Sequence, residues 1–356
     1  MKGGKDPMKN PEATNPCEES TREVLARLLP KKDFIGELDV LSFDKHHATF
    51  VFNGSFHMAN SILYVGDNVV AECLPLFGEC NNAISSTNKR FLQEHDIFTD
   101  YVEPNPLLVR ALGFSEEEAK LIVYAIDLTP MPIKLKVVGY DKATGVKFET
   151  AKVVAYLNEE SGDALTEDEA ITVIADYLLD NDGCLSSLEL IEEFESIDKL
   201  LEVTELSPEA KAFGETISEC DIWEQMEFAL AYELAADYYR GMADIALQAY
   251  AVLHDKYAES DFILAETEFC IGVDDNDLFC ICGEVGTMNN SLIVNNADFV
   301  ETGKFVQTHL EPLMVFYDEH GEDAEVTDKV LDEVADTAFF VAEGLCGDME
   351  FEVFIN

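Results

Sequence analysis

Residues 222–257 read IWEQMEFALAYELAADYYRGMADIALQAYAVLHDKY, with aromatic and Leu side chains recurring at spacings of three and four. That is the pattern of one long amphipathic helix, and a helix of this kind needs an apolar sheet to lie against. The chain supplies strands at once. Residues 262–294, FILAETEFCIGVDDNDLFCICGEVGTMNNSLIV, hold two runs rich in Phe, Ile, Leu and Cys, joined by Asp274-Asp275-Asn276-Asp277 in turn chemistry. A hairpin accounts for those two runs. It does not account for residues 283–291, a small polar loop that follows a buried strand directly, with neither a tight-turn signature nor a charged cluster.

Length and charge narrow the field. At 356 residues the chain can bury a sizeable core, as two domains or as one large domain with an insertion. Its 23 Lys and Arg face 72 Asp and Glu, a formal net charge of −49. A surface of that sign repels phosphate backbones and anionic lipid, which excludes nucleic acid and membrane as direct ligands unless a basic pocket lies within the fold. Three accounts of the acidity compete: solvation, a DNA-like surface presented to a DNA-binding protein, and complementarity to a basic partner. The acids are spread along the chain, as at residues 116–118, 159–160 and 274–275, which favours solvation. Nine cysteines at 17, 73, 80, 184, 220, 270, 280, 282 and 346 include no Cys-x-x-Cys pair, and most lie in apolar runs where a thiol behaves as a small hydrophobe. This predicts a reducing, cytoplasmic setting over a disulfide framework, with no cleavable signal peptide and no run long enough to span a bilayer.

The organisation follows from local signals. Residues 1–35 read as a mobile arm with a short helix capped at Ser20. Residues 36–127 read as a β-rich lobe that includes one helix, in NNAISSTNKRFLQEHDI, with Asn81 and Asn82 available as N-caps. Residues 128–320 form a larger lobe, entered by the strand PMPIKLKVVGYD, with an acidic helical insertion near 146–207. Asp221 is the expected N-cap of the long helix and Trp223 a core residue near its start. Residues 321–356 close the chain with a helix from about Thr327 and a short strand, MEFEVFIN. The adjacent pair His46-His47 reads as a surface pair.

The succession PLFGECNNAISSTNKRFLQEHDIFTDYV, IDLTPMPIKLKVVGYDKATG, the long helix with its hairpin, and GKFVQTHLEPLMVFYDEHGEDAEVTDKVLDEVADTAFFVAEGLCG resembles the SAICAR synthetase family over about residues 36–347. The resemblance lies in order and spacing more than in identities. It implies an α+β fold whose β-rich N-terminal lobe covers ATP, and a reaction in which a phosphorylated carboxylate is captured by the amine of aspartate. That chemistry needs lysine and backbone amides on phosphate and carboxylates on Mg²⁺.

Measured against that family, the chain has lost most of the required groups. The glycine-rich phosphate loop falls on LDVLSFDKHHA, without a glycine, where Lys45 is the remaining cation. Asp67, Pro75, Gly78 and Asn82 match a second stretch in part, but its lysine falls on Phe77, and an Arg-Asn pair falls on Val138-Gly139. The pattern Asp-x-Lys-x-Glu-Phe-Gly becomes Glu266, Glu268, Cys270, Ile271 and Gly272. In the following loop Glu284 survives while the metal-binding Asp and the Arg do not. Glu266, Glu284 and Asp67 are thus the candidate metal or nucleotide remnants, and Lys45, Lys134, Lys136 and Lys142 the candidate phosphate ligands. Losing one charge-stabilising donor costs about 10²–10³ in rate, and Glu268 puts an anion where the family has a cation. The reading is a catalytically degenerate SAICAR synthetase-like scaffold that needs no cofactor and engages a protein partner with a basic surface, or copies of itself. Repurposed enzymes of this sort are common among phage-encoded proteins, though no residue proves a viral source. The alternatives are an active, diverged ligase using ATP and Mg²⁺, and an acidic decoy of a DNA-binding protein.

Overall fold

A computed structural model describes residues 41–42, 49–50, 63–65, 68–71, 74, 76–101, 128–158, 162–181, 184–216, 221–274, 278–321 and 324–347. The N-terminal arm, the segment 102–127 and the final MEFEVFIN lie outside them, as do Lys45, Asp67 and the His46-His47 pair. Two short antiparallel pairs come first: β1 (Leu41–Ser42) with β2 (Thr49–Phe50), and β3 (Leu63–Val65) with β4 (Asn68–Ala71). Helix α1 (Phe77–Gln93) follows. The main sheet is built from β5 (Thr129–Tyr140), β6 (Lys147–Leu157), β7 (Phe262–Val273), β8 (Phe279–Cys282) and β9 (Ser291–Asn295), in the order β6-β5-β7-β8 with β9 also on β7. All of its pairings are antiparallel.

Strand periodicity divides this sheet into two unlike faces. On β5, Met131, Ile133, Leu135 and Val137 are buried, while Lys134, Lys136 and Val138 between them are half-buried. The ladder from β5 to β7 is interrupted between Pro130 and Lys134, where two prolines lack the N–H it requires. On the apolar face lies α6 (Ile222–Glu259), 38 residues and therefore about 57 Å long. It approaches closely: a Cβ on Gly139 of β5 would collide with the Tyr250 hydroxyl, which donates instead to the Leu264 carbonyl at 2.8 Å. The Asp221 carboxylate caps α6 by accepting from the Trp223 and Glu224 amides at 2.8 and 3.0 Å, as expected, and Trp223 packs against the core.

Between β6 and α6 lie four helices, α2 (Glu167–Asp180), α3 (Ser187–Phe194), α4 (Ile197–Val203) and α5 (Pro208–Glu215), capped by Thr166, Ser186, Ser196 and Ser207. Helices were expected from near 146, but the first of these begins at Glu167. Residues 147–157 form β6, because the β-branched and aromatic run Val153 to Tyr156 pairs along β5. The segment SSLELIEEFESIDKLLEV also divides, at Glu195 in the left-handed region (φ 58°) followed by the Ser196 cap. Beyond β9 come α7 (Asn296–Thr302), a 3₁₀ turn (Thr308–Leu310), α8 (Glu311–His320) and α9 (Asp328–Cys346). Helix α1 starts at least five residues earlier than its Asn residues suggest. Its N-cap is Leu76 in the left-handed region, and Asn81 and Asn82 lie inside the helix, where Asn81 accepts from the Met288 amide and Asn82 from the Ser86 hydroxyl one turn on. The six described cysteines are free thiols. Burial pushes Cys80 up to about 12 and Cys280 to about 11, which suits apolar filling rather than reactivity. No helix among the described residues is long and apolar enough to cross a membrane.

His309 of the 3₁₀ turn is buried beside Phe77, ring centroids 5.6 Å apart, and burial pushes its imidazole down to about 3. The unfolded chain takes up that proton near pH 6.5 and the folded chain does not, so stability falls as pH drops from about 6.5 toward 3. His309→Phe is expected to flatten the slope of unfolding free energy against pH by up to one proton in that window, measured by urea titrations. An unchanged slope would contradict the assignment.

Candidate functional site

Strand β7 is paired along one edge by β5 and along the other by two strands in tandem. β8 pairs with residues 270–273 and β9 with residues 262–267. Both run antiparallel to β7, so they are one strand interrupted by an excursion, residues 283–290. Turning out of the sheet needs left-handed backbone at Gly283 (φ 71°) and Gly286 (φ 66°). The Glu268 amide donates to the Asn290 carbonyl at 2.9 Å where the excursion returns.

Helices α1 and α6 fill the space that the excursion encloses. The Asn88 side-chain amide donates to the Val285 carbonyl at 3.0 Å and to the Tyr257 hydroxyl at 2.9 Å, and Tyr257 donates to the Gly286 carbonyl at 2.5 Å. Lys256 donates to the Asn88 carbonyl oxygen at 2.6 Å, and burial holds that ammonium down at about 8. Ser85 accepts from the Val285 amide at 3.1 Å and Asn81 from the Met288 amide at 3.1 Å. At the mouth, Asp100 pairs with buried Lys89 at 2.7 Å and accepts from the Gly283 amide at 3.2 Å. Thr287 donates to the Glu284 carboxylate at 2.8 Å, and Gln307 donates to the Met288 and Ser291 carbonyls. The amides of Gly283, Val285, Thr287 and Met288, which an anionic ligand could otherwise use, are thus bonded to the protein's own side chains.

Beside the excursion, the second face of the sheet carries a chain of ion pairs. Register sets Lys136 opposite Glu268 and Lys134 opposite Cys270, all on one face. Lys134 meets Glu268 at 3.0 Å, Lys136 meets Glu268 at 2.9 Å and Glu266 at 3.8 Å, and Lys142 meets Glu266 at 2.7 Å. The Lys136 ammonium also sits 5.4 Å from the centre of the Tyr156 ring. Burial opposes charge on both members of the central pair, yet bonding to Glu268, then its charge and that of Glu266, raises Lys136 above the usual lysine range. Glu268 is lowered in turn, because Lys136 and then Lys134 outweigh its desolvation. Both shifts favour the ionised pair.

This architecture has solved counterparts. A structure of SAICAR synthase from Saccharomyces cerevisiae complexed with SAICAR superposes with a TM-score of 0.54 at 13% identity, covering 89% of this chain and 96% of that one. A second SAICAR synthase gives 0.53 at 13% identity with the same coverage. The chain has the SAICAR synthase fold. No protein-family model matches it, and no curated protein does. At this identity the likeness carries the α+β architecture and leaves the chemistry to be judged from side chains.

For the SAICAR synthase fold, the resemblance in sequence implies ATP and Mg²⁺, and among the described residues the candidates to hold them are bonded to one another instead. Three of the four lysines expected to meet phosphate, Lys134, Lys136 and Lys142, do come together with Glu266, but each is bonded to a carboxylate. Glu266, expected as a metal remnant, is already bonded to an ammonium. Glu284 belongs to a different set of contacts, inside the excursion. Among the described residues no group of three His, Cys, Asp or Glu is placed to hold a metal ion. The expectation that Glu268 lies in the site as a bare anion is corrected: two ammonium groups cover it. The period-two spacing of Lys134 and Lys136 on one strand, and of Glu266 and Glu268 on another, carried that pairing in the sequence. Asn88, Lys89, Asp100, Lys256 and Tyr257 carried no comparable signal.

A Cβ on Gly286 would lie 2.5 Å from the Asn88 amide nitrogen and 2.7 Å from the Tyr257 oxygen. Gly286→Ala therefore combines a left-handed penalty with a buried clash and is expected to destabilise by on the order of 2–4 kcal/mol. Gly303→Ala has a similar φ and open space around it, so it should cost about 1–2 kcal/mol. Equal losses in chemical denaturation would contradict the plugged excursion.

Proposed function

We propose that the chain uses the SAICAR synthase fold as a protein-binding scaffold and does not carry out ATP-dependent ligation. The observation that carries this reading is the continuous ion-pair chain from Lys134 to Lys142, in which the three candidate phosphate lysines Lys134, Lys136 and Lys142 are each bonded to Glu266 or Glu268. A triphosphate entering there must take the lysines away from both carboxylates and then lie against the carboxylates it displaced. Like charges held a few ångströms apart in a half-buried site repel strongly. The plugged excursion supports the same reading, since its Gly283, Val285, Thr287 and Met288 amides are bonded to the protein's own side chains. The net charge of −49 makes a protein with a basic surface the natural partner and disfavours association of two copies.

Calorimetric titration with Mg-ATP at millimolar concentration is expected to give no binding heat, whereas a dissociation constant below about 1 mM would contradict the proposal. The double variant Glu266→Gln/Glu268→Gln uncovers three ammonium groups and is expected to bind inorganic pyrophosphate at least about tenfold more tightly than the parent chain. Equal affinity in the two would mean that the glutamates do not block the lysines.

A further inference from the structure

The helical insertion leaves apolar side chains facing solvent in an unusual setting. On α3, Leu190 is fully buried and Phe194 packs on the core, while Leu188 and Ile191, three residues apart and so on one face, are 72% and 41% exposed. Leu185, just ahead of the Ser186 cap, is exposed too, and α4 adds Leu201 and Val203. Around them stand Glu189, Glu192, Glu193, Glu195, Asp198, Glu202 and Glu205, against one cation, Lys199, which is bonded to Glu195. The surface is held in place from below. Glu227 of α6 accepts from the Ser187 amide at 3.0 Å, and Glu233 of α6 accepts from the Ser207 amide and hydroxyl at 3.1 and 2.7 Å, each at the start of an insertion helix.

We infer that the α3–α4 surface, centred on Leu188 and Ile191, docks a cationic amphipathic helix of a partner protein. The inference deepens the scaffold reading and rests on it. An apolar stripe takes the apolar face of the incoming helix, and the flanking carboxylates take its Lys and Arg. The same carboxylates repel an identical acidic surface, which argues against a second copy as the occupant. Because α3 and α4 are capped by Ser186 and Ser196 and α3 is tied to α6 through Glu227, little ordering is left for binding to require.

The probe is a fluorescently labelled Leu/Lys amphipathic peptide titrated into the full-length chain. Saturable binding is expected. Leu188→Ser/Ile191→Ser should weaken it by at least about tenfold, since each side chain is buried on docking. Glu192→Gln/Glu193→Gln, or added salt, should weaken it several-fold. Val300→Ser, at a 77% exposed position on α7, should leave it unchanged. Absence of saturable binding, or equal affinity in the Leu188/Ile191 variant, would overturn the proposal. So would binding that appears only after Arg22, Arg27, Lys31 and Lys32 are changed to Glu, because the surface would then be occupied by the chain's own N-terminal segment. A cleft that binds Mg-ATP with the peptide site intact would count against the scaffold reading alone; a silent cleft with no peptide site would count against this surface alone.

Discussion

Strand β7 is bonded along both edges and packed on one face by α6, and most of the described fold is arranged around it. One edge takes β5 and the other must be shared by β8 and β9. Sharing forces the chain out of the sheet between them. One face receives α6, so Phe269 and Ile271 are apolar, and the other carries Glu266 and Glu268. A single strand therefore fixes the place of the long helix, the excursion and the charged face relative to one another.

In an enzyme of this architecture such an excursion would be expected to hold groups open for ligand. Here the opposite has happened at each point where bonding is visible. Asn88 and Tyr257 bond the Val285 and Gly286 carbonyls, Ser85 and Asn81 bond two amides, and Asp100 holds the mouth against Lys89. On the charged face, lysines contributed by β5 and the turn after it answer carboxylates contributed by β7. Buried polar groups require partners, and in this frame the protein's own side chains supply them.

The long helix, its Asp221 cap, the hairpin and the closing helix were legible because their signals are local: spacing, capping residues and turn chemistry. Residues 147–157 were not read as a strand because their acidic neighbours obscured the Val-rich core that pairs with β5. The start of α1 was misplaced because Asn81 and Asn82 resemble caps, although Asn82 bonds Ser86 within the helix and Asn81 bonds a segment more than two hundred positions away. At the site, Lys134, Lys136, Lys142 and Glu266 were recognised as candidates, but their effect on one another was not. Whether a lysine is free for phosphate depends on strand register, which is set across the gap between residues 140 and 262. Composition alone made Glu268 a repulsive anion; register makes it the centre of an ion-pair chain.

The central claim is that residues 283–290 form a frame closed by the protein's own side chains. Amide hydrogen exchange of this segment, followed by mass spectrometry with and without Mg-ATP, tests it most directly. The account predicts slow exchange at the bonded amides of Val285, Thr287 and Met288, at rates close to those of β7, and no change on adding nucleotide. Rapid exchange that becomes protected when Mg-ATP is added would show a loop that waits for a ligand, and would contradict it.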